Sequence, residues 1–543
     1  MKRFTALLLI LTLLSSLATA SAADTGYTDV PEDHWACSEI EKAGQYGLMQ
    51  GLGNGVFGLG QALNRASFVT VLCRMLSWEL LAPESASYSD VSPDQWFYSA
   101  VETALAHGAL EQAALFRPED PITREEMAII LVRALGYEQL ALAGYDFSLP
   151  FSDVTENRGY IALAWQIGLT NGTLENGSLL FQPHESATRE QAAAMLVRVY
   201  ERCTAKIDWL HGFYAFSSYS QISLTDEMDH VSLGWARLEA DENGAPWLNS
   251  TSANSNSWVV PKEPEAALNH FQASGTPYNL NVYSVSAALL ADEDSRRSAA
   301  AVIADAAADY AGITMDFESL RLENRDNFTA FMTVLRALLP EEKSLYVCVS
   351  PAVPDDVYYD GYDYRALGEL CDKVILMAHD YQYTSVPASY IGTGRTESPL
   401  TPFNKIYYAL AAITDPQTGV TDVSKIALAI SFGSVGWRVD ENGKLLETSS
   451  YNPAPSTIFT RLQQPDTVTA WSEIYRNASI YYTTENGSHY RLWYEDARSV
   501  TEKIQLAQMF GITGVSLWRL GNIPNYSGDA MNYDVWGAVL ADR

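Results

Sequence analysis

The chain has 543 residues, of which 47% are hydrophobic and 11% aromatic, a composition that predicts several folded cores and excludes a disordered protein. Its 66 acidic and 35 basic residues give a formal net charge of -31, which excludes nucleic acids and anionic lipid surfaces as favoured partners. Its five cysteines are widely spaced and it has no metal or nucleotide motif, so we expect small buried core cysteines and no cofactor.

Residues 1–22 are predicted to form a secretory signal peptide. Lys2 and Arg3 provide a charged start, an apolar run follows from residue 6 to 17, and small residues at 18–23 provide a cleavage site. An uncleaved anchor is the alternative, but about a dozen apolar residues are too few to span roughly 30 Å of hydrocarbon. No later segment is long and apolar enough to cross a membrane, so we expect an exported chain without a membrane span in its mature form.

Three copies of one small unit follow the signal peptide. An aromatic-x-Asp-Val segment starts at Tyr27, Tyr88 and Phe151, 61 and then 63 residues apart, which indicates a repeated supersecondary unit. In each copy a helical stretch ends at a glycine, and a second helix starts eight residues after an aromatic residue in the following loop. The second helices of the later copies begin Thr-Arg-Glu, a capping threonine followed by an acidic first turn. Each copy is therefore predicted to be a helix pair too small to bury its core alone.

The repeats resemble the S-layer homology module in their Asp-Val start, in a tryptophan six residues after that aspartate (Trp35, Trp96), and in the Thr-Arg-Glu helix start. The resemblance places modules at residues 25–83, 86–142 and 149–203. It implies non-covalent attachment to a secondary cell-wall polysaccharide at a bacterial surface, with Arg65, Arg124 and Arg189 contacting an acidic sugar group. A lone arginine here is more simply a surface charge, but three in register favour binding. The copies are unequal, since the first lacks Thr-Arg-Glu and the third lacks the tryptophan.

Residues 204–543 alternate short apolar runs with helical stretches, which predicts an α/β domain with a parallel sheet. Eight strand candidates fall at residues 212–217, 230–235, 279–284, 312–316, 345–350, 373–378, 426–431 and 514–518. Eight such units predict a (β/α)8 TIM barrel, whose chemistry lies at the carboxyl ends of its strands. The predicted fold class is thus multi-domain, with α-rich helix-pair repeats followed by one barrel.

The fourth strand candidate closes with Asp316-Phe317-Glu318. Because residues alternate sides along a strand, Asp316 and Glu318 are expected to point the same way, into the barrel mouth. Two close carboxyl groups cannot both ionise cheaply, so one keeps its proton near neutral pH, as a general acid must. Glu318 is the outer of the two and is predicted to be that acid.

This strand resembles the fourth strand of glycoside hydrolase family 18. The family's strand carries Asp-Gly-x-Asp-x-Asp-x-Glu, and residues 311–318 read Ala-Gly-Ile-Thr-Met-Asp-Phe-Glu, so Ala311 and Thr314 replace two aspartates. Residues 376–381 resemble the family's Met-x-Tyr-Asp, and Trp518 stands at the tryptophan-containing end of the eighth strand. Residues 493–514 look like the bacterial spore-wall branch.

The resemblance implies substrate-assisted, retaining cleavage of β-1,4 bonds next to N-acetylglucosamine, in peptidoglycan or a chitin-like glycan. Glu318 would protonate the leaving oxygen while the 2-acetamido carbonyl of the sugar attacks the anomeric carbon. Asp316 would hold the acetamido N–H and stabilise the developing positive charge, and Asp380 would assist that positioning. A loop cap remains the alternative role for Asp380.

The resemblance also implies a set of substrate-binding residues. His379 stands where the family has a tyrosine that bonds the acetamido oxygen, and Trp518 would stack beneath the sugar, with ordinary barrel core as its alternative. Met377 belongs to the same set, and Tyr381, Tyr214 and Trp235 are weaker candidates. Because Ala311, Thr314 and His379 all depart from the family pattern, a surface lectin that binds glycans without turnover remains the alternative function.

Overall fold

The computed structural model describes residues 26–143, 149–215, 218–352, 359–381, 385–395, 399–527 and 531–543. The predicted signal peptide at 1–22 lies outside the described residues. The chain divides into two compact units, Met1–Glu201 and Arg202–Arg543, which are described separately. Within the described ranges, no helix has both the length and the apolar character that crossing a membrane requires.

The first unit contains the three predicted helix pairs. The first helix of each pair is followed by a glycine with φ near +70°, at Gly47, Gly108 and Gly168, a left-handed position that ends a helix readily only with glycine. The elements in chain order are α1 (Cys37–Gln45), α2 (Arg65–Met75), α3 (Tyr98–Ala106), α4 (Arg124–Ala134), the short α5 (Glu138–Leu142), α6 (Arg158–Gln166), the hairpin β1 (Thr173–Glu175) and β2 (Ser178–Leu180), and α7 (Arg189–Cys203).

The aspartate of each Asp-Val start holds its own helix pair together. Asp29 accepts hydrogen bonds from the backbone N–H groups of residues 57, 58 and 59 at 2.7–2.9 Å. Asp90 accepts two such bonds from residues 116 and 117, and Asp153 accepts two from residues 181 and 182. A carboxylate that accepts several backbone N–H groups makes strong charge-assisted bonds. Each start is thereby tied to the loop that precedes the second helix.

The three pairs join in a ring, because the first arginine of each second helix contacts the phenylalanine of the next pair. In each case the arginine Nε donates to the phenylalanine carbonyl oxygen at 2.7–2.8 Å, and the guanidinium lies 4.9–5.3 Å from the ring centroid. The couples are Arg65 with Phe116, Arg124 with Phe181, and Arg189 with Phe57. Three backbone hydrogen bonds beside these contacts also link the pairs in a cycle. The Leu63 N–H donates to the Ala187 carbonyl oxygen, the Ala187 N–H to that of Ile122, and the Ile122 N–H to that of Leu63.

The second unit contains a closed barrel of eight parallel strands, as predicted. Its strand β3 pairs with both β4 and the last strand, which closes the sheet, and β5 extends β4 as an antiparallel partner outside the barrel. The strands are β3 (Trp209–Tyr214), β4 (His230–Ala240), β5 (Pro246–Asn249), β6 (Tyr278–Ser284), β7 (Gly312–Phe317), β8 (Ser344–Val349), β9 (Lys373–Leu376), β10 (Ile426–Ser431) and, after an insertion, β15 (Gly514–Trp518). The strand predicted at 212–217 begins three residues earlier than expected, at Trp209.

A four-stranded antiparallel sheet is inserted between β10 and β15, which the sequence did not predict. Its order is β11 (Val435–Val439), β14 (His489–Tyr494), β13 (Asn477–Thr483) and β12 (Val468–Ser472). A buried ion pair between Lys503 and Glu495 lies at its junction with the barrel, and Asn477 and Thr401 complete the hydrogen bonds of that pair.

The helices of the second unit are α8 (Glu265–Ser274), α9 (Glu293–Ala306), α10 (Arg325–Leu338), α11 (Tyr364–Leu370), α12 (Phe403–Ile413), α13 (Pro455–Leu462), α14 (Ala497–Met509) and α15 (Val535–Ala541).

The barrel interior is built from an apolar cluster and a network of neutral polar groups. His211 bonds Ser516 through Nδ1 and Ser232 through Nε2, each at 2.8 Å. The Ser232 hydroxyl is in turn hydrogen-bonded to the Thr314 hydroxyl at 2.6 Å, and Asn279 Nδ2 donates to the same Thr314 oxygen at 3.3 Å. Burial lowers the pKa of His211 well below its ordinary value, so the imidazole is neutral. The network fills the space below the strand ends without adding charge.

The Asp29 contacts predict the effect of removing that carboxylate. Asp29→Ala leaves three backbone N–H groups without their acceptor, and we expect a loss of about 1–3 kcal/mol in the stability of the first unit. Each kcal/mol lowers the melting temperature of a domain of this size by about 2–4 °C, measurable by calorimetry of the full chain. Asp33→Ala, an exposed aspartate on the same loop, is the control and should leave the transition unchanged. Equal melting of the two variants would contradict the assigned role of Asp29.

Candidate functional site

The end of β7 places two carboxyl groups at the barrel mouth. Thr314 lies in the lumen network, and Asp316, two residues further on, faces the same side of the strand. Asp316 is only 2% exposed, and its Oδ1 has no hydrogen-bond partner among the described residues. Glu318 follows the strand, is half-buried, and donates its backbone N–H to the Ser284 carbonyl oxygen of β6 at 2.8 Å. The structure thus brings together the two predicted catalytic carboxyls.

The surroundings of these groups favour a retained proton. Burial raises the pKa of Asp316 well above its ordinary value, the charge of Glu318 raises it further, and Asn281 opposes the shift. Burial also raises the pKa of Glu318, a shift that the charge of His379 counteracts and that of Asp380 reinforces. Because a doubly ionised pair is costly in this environment, the pair is expected to hold a proton that Glu318 can deliver.

The end of β9 contributes a histidine–aspartate pair to the same mouth. His379 Nδ1 donates to Asp380 Oδ2 at 2.8 Å, and Asp380 has a left-handed backbone conformation with φ of +57°. Burial raises the pKa of Asp380, but the charge of His379 and its hydrogen bond outweigh that effect and leave the pKa below its ordinary value. Asp380 is therefore an ionised group beside Glu318, and its hydrogen bond orients the His379 ring.

An aromatic group borders the carboxyls, and two of its three members were not predicted from the sequence. Trp518, at the end of β15, packs on the lumen cluster with its ring centroid 5.1 Å from that of Phe213. The ring of Trp258, from the loop after β5, lies 5.8 Å from Trp518 and stacks on Tyr283 at 4.8 Å. Tyr283 pairs in register with Asp316, and burial raises its pKa to about 12, so it keeps its hydroxyl proton.

Three other substrate-binding candidates lie in different places. Met377 packs in the barrel lumen with the cluster that includes Trp518. Tyr381 bonds the Leu400 carbonyl oxygen through its backbone N–H, and Lys405 lies 5.1 Å from its ring centroid. Tyr214 does not join the mouth: it is buried, and its ring packs against Phe271 of α8. Since Phe213 faces the lumen, the alternation of strand β3 turns Tyr214 to the helix layer, and its predicted binding role is corrected to packing.

In the first unit, a cavity of about 460 Å³ brings together two of the predicted polymer-binding residues. Trp35 and Arg124 line it together with Arg198 and the loop at 170–174, and Trp35 is 58% exposed. Its lining contains two arginines and, among the described residues, no carboxylate. Burial lowers the pKa of Arg124 from its ordinary value, although the guanidinium stays charged at neutral pH. The cavity therefore presents two guanidinium groups, with no carboxylate in its described lining, beside an exposed indole.

The equivalent cavity at Arg65, of about 270 Å³, differs because its cations are already paired. Arg65 Nη1 contacts Glu126 at 2.5 Å, and Arg133 forms an ion pair with Glu111. Arg189 instead donates from Nη2 to the Gln50 carbonyl oxygen at 2.7 Å. Trp96 is 64% exposed. The three predicted arginines thus stand in unequal environments, and of the two cavities compared, the one at Arg124 combines two arginines with an acid-free lining among the described residues.

Models of known protein families match segments in both parts of the chain. The model described as Glycosyl hydrolases family 18 matches residues 284–522, and the S-layer homology domain model matches residues 26–69 and 87–128. The third predicted module, at 149–203, lies outside the matched ranges. The structure gives it the same helix pair and the same aspartate contacts, and its assignment to the family stays a prediction.

Individual relatives resemble either the second or the first part. The cortical fragment-lytic enzyme of Bacillus subtilis is 25% identical over 240 residues, which are 43% of this chain and 52% of that protein. The surface-layer 125 kDa protein of Lysinibacillus sphaericus is 29% identical over 182 residues, 32% of this chain and 15% of that protein. The chain thus spans about half or less of the length of these relatives. The crystal structure of the Bacillus cereus spore cortex-lytic enzyme SleL shares the fold, with 16% identity, a TM-score of 0.50, and coverage of 70% of this chain and 81% of that one.

The burial of Asp316 predicts a pH-dependent effect of its neutralisation. Folding raises the pKa of Asp316, so ionisation of this carboxyl destabilises the folded state. The loss of stability grows as the pH rises from about 4 to the pKa in the folded state, and it amounts to about 1.4 kcal/mol for each unit by which the pKa is raised. Asp316→Asn should therefore raise the melting temperature at pH 8, with a smaller gain near pH 4, where the folded carboxyl holds its proton and the unfolded one is only about half ionised. The exposed Asp305→Asn on α9 is the control. A gain that is the same at both pH values would refute the interpretation.

Proposed function

Because the chain carries two S-layer homology domains and a glycosyl hydrolases family 18 domain, we propose that it is a cell-surface glycosidase that cleaves glycans next to N-acetylglucosamine. The observation that carries the proposal is the buried pair of Asp316 and Glu318 at the end of β7, beside the His379–Asp380 pair and the Trp518 ring. Peptidoglycan and chitin-like polymers are the substrate classes that contain this sugar.

In the proposed first step the substrate supplies its own nucleophile. The carbonyl oxygen of the 2-acetamido group donates an electron pair to the anomeric carbon, while the bond from that carbon to the leaving oxygen breaks. Glu318 delivers its proton to the leaving oxygen and becomes a carboxylate. Asp316 accepts the acetamido N–H and stabilises the positive charge of the resulting oxazolinium ring, an interaction that strengthens as the charge develops.

The second step returns the site to its starting state. A water molecule attacks the anomeric carbon, Glu318 takes its proton, and the acetamido carbonyl is restored with net retention of configuration. In this proposal His379, oriented by Asp380, donates to the acetamido oxygen, and Trp518 supports the apolar face of the sugar ring. Both roles depend on groups that the fold holds in position before substrate binds.

Glycan binding without turnover is the second candidate function. It is favoured by Thr314, whose hydroxyl is bonded to Ser232 in the lumen, so Asp316 has a neutral group below it where the family pattern has an aspartate. His379 likewise replaces a tyrosine of that pattern. The two candidates differ in one measurable property, the release of reducing ends.

Glu318→Gln should abolish hydrolysis while leaving glycan binding in place. The substitution removes the proton donor without changing the size of the side chain, and we expect kcat to fall by at least about 100-fold. Reducing ends released from chitin oligomers and from purified sacculi are the measurement. Glu323→Gln, an exposed glutamate beyond the mouth, is the matched control.

Substrate chemistry provides a second arm of that experiment. Deacetylated oligomers lack the carbonyl nucleophile and should not be cleaved. Equal rates for the wild type and Glu318→Gln would contradict the assigned acid. Binding of all oligomers by the wild type without any hydrolysis would establish the glycan-binding alternative.

The S-layer homology domains indicate attachment at the cell surface, and we propose an acidic cell-wall polysaccharide as the ligand of the first unit. A planar guanidinium matches the geometry of a carboxylate, and the cavity at Arg124 holds two arginines without an internal acid. The cavity at Arg65 contains the Glu126 and Glu111 carboxylates that compete with such a ligand. The cavity at Arg124 is therefore proposed as the stronger site.

Arg124→Ala is expected to weaken binding to purified sacculi more than Arg65→Ala does. Loss of one charge-assisted contact corresponds to about tenfold in affinity. For Arg65, whose charge is already paired with Glu126, we expect a smaller change. The measurement is a co-sedimentation isotherm, with thermal melting to confirm folding and the exposed Arg297→Ala as control. Equal losses at the two arginines would reject the ranking.

A further inference from the structure

We propose that Trp258 is a sugar-binding residue of the barrel mouth, held there by a loop that is organised before substrate arrives. The inference rests on the proposed glycan-directed function and adds a contact that neither the strand pattern nor the family-like motifs contain. Trp258 lies on the loop between β5 and α8, away in sequence from every strand end that carries the predicted chemistry.

The position of the indole is set by three strands of the barrel. Trp258 stacks on Tyr283 of β6 at 4.8 Å with the ring planes 9° apart, and its centroid lies 5.8 Å from that of Trp518 on β15. On β4, a Cβ atom built at Gly234 would approach the Trp258 ring to 3.0 Å. Tyr283, on which the indole stacks, is four residues beyond Asn279, which bonds Thr314 inside the lumen, so the indole lies over the lumen face of β6.

The loop is fixed by buried amides that have their hydrogen bonds satisfied internally. Asn256 is 5% exposed, accepts the backbone N–H of Trp258 at 2.9 Å through Oδ1, and donates from Nδ2 to the carbonyl oxygens of Asn249, Thr251 and Trp258. Asn249 is fully buried and donates to Glu239 and to the Ala253 carbonyl oxygen. The Val260 N–H bonds the Ser250 carbonyl oxygen and closes the loop ends.

This construction differs from what core packing alone requires. Strand β4 runs for 11 residues, beyond the pairing needed for the barrel, and its end carries Arg237 and Glu239, which bind the loop from outside. Hydrogen bonds from polar side chains thus hold one large aromatic ring, which is only partly buried, at the barrel mouth beside the carboxyl groups. Partly buried tryptophans beside a catalytic group are well suited to the C–H face of a pyranose.

Trp258, Tyr283 and Trp518 together border the acid pair on one side. Tyr283 pairs in register with Asp316, so a sugar supported by Trp518 and reached by Glu318 lies beside the Trp258 edge. Trp258 contacts substrate in this arrangement, whereas Asn256 acts only through the loop and is a positioning residue. The contact is made in the bound state and the transition state alike, so its loss should affect KM more than kcat.

The test compares Trp258→Ala with Trp247→Ala in the full chain. Trp247 lies on β5 of the same hairpin, opposite Glu239, and is outside the Trp258–Tyr283–Trp518 stack. With chitin oligomers we expect KM to rise about tenfold for Trp258→Ala, equivalent to about 1.4 kcal/mol, and to stay within about twofold for Trp247→Ala. Trp258→Phe, which keeps a ring, should recover part of the loss. Calorimetric titration in a Glu318→Gln background measures binding without hydrolysis.

The outcomes separate this inference from the proposed function. If the wild type cleaves oligomers and Trp258→Ala has the KM and affinity of Trp247→Ala, the sugar contact is refuted while the glycosidase proposal stands. If the wild type neither cleaves nor binds N-acetylated glycans, both fail. If circular dichroism shows that Trp258→Ala is unfolded, Trp258→Phe and Asn256→Ala are used in its place. An unchanged KM in both variants refutes the inference. A raised KM with unchanged kcat in both variants supports it.

Discussion

The exclusion of water from the Asp316 carboxyl is the constraint on which the second unit depends. A carboxylate at this depth is costly unless it is paired or keeps its proton. Below it, the described part of the fold supplies neutral groups, the hydroxyls of Thr314 and Ser232 and the uncharged His211 imidazole. We therefore expect Asp316 and Glu318 to hold one proton between them. The His379–Asp380 pair at the end of β9 and the aromatic rings surround this site, and the neutral groups of the lumen already limit its net charge.

The sequence predicted those parts of the barrel that local periodicity determines. All eight strands were identified, and β10 and β15 have the predicted bounds, because apolar runs between turn signals specify buried parallel strands. The carboxyls of Asp316 and Glu318 followed from the same alternation. The failure at Tyr214 has the same origin, since one residue decides which face of a strand a side chain occupies. Placing the start of β3 three residues late left His211, the polar residue that marks the lumen face, outside the predicted strand, and Tyr214 on the opposite face packs on α8.

Features built from contacts between distant segments could not be predicted in this way. Trp258 lies in a loop with no period, and its position depends on the side-chain amides of Asn249 and Asn256. The four-stranded insertion was not predicted, because its strands mix buried and exposed positions without the regular alternation that marks a strand in a sequence. In the first unit the helix pairs were evident from the repeat. The contact of Arg189 with Phe57 spans 132 residues, and no local pattern specifies it.

The contacts between the repeats also fix how many repeats are needed. Each arginine is seated on the phenylalanine of the following helix pair, and the third returns to the first. A row of two such pairs has an open end on each side, with one cation and one aromatic ring left over, whereas three pairs leave no open end. Removing one copy from this unit would therefore expose the surfaces that these contacts cover, so the loss of one helix pair should destabilise the two that remain.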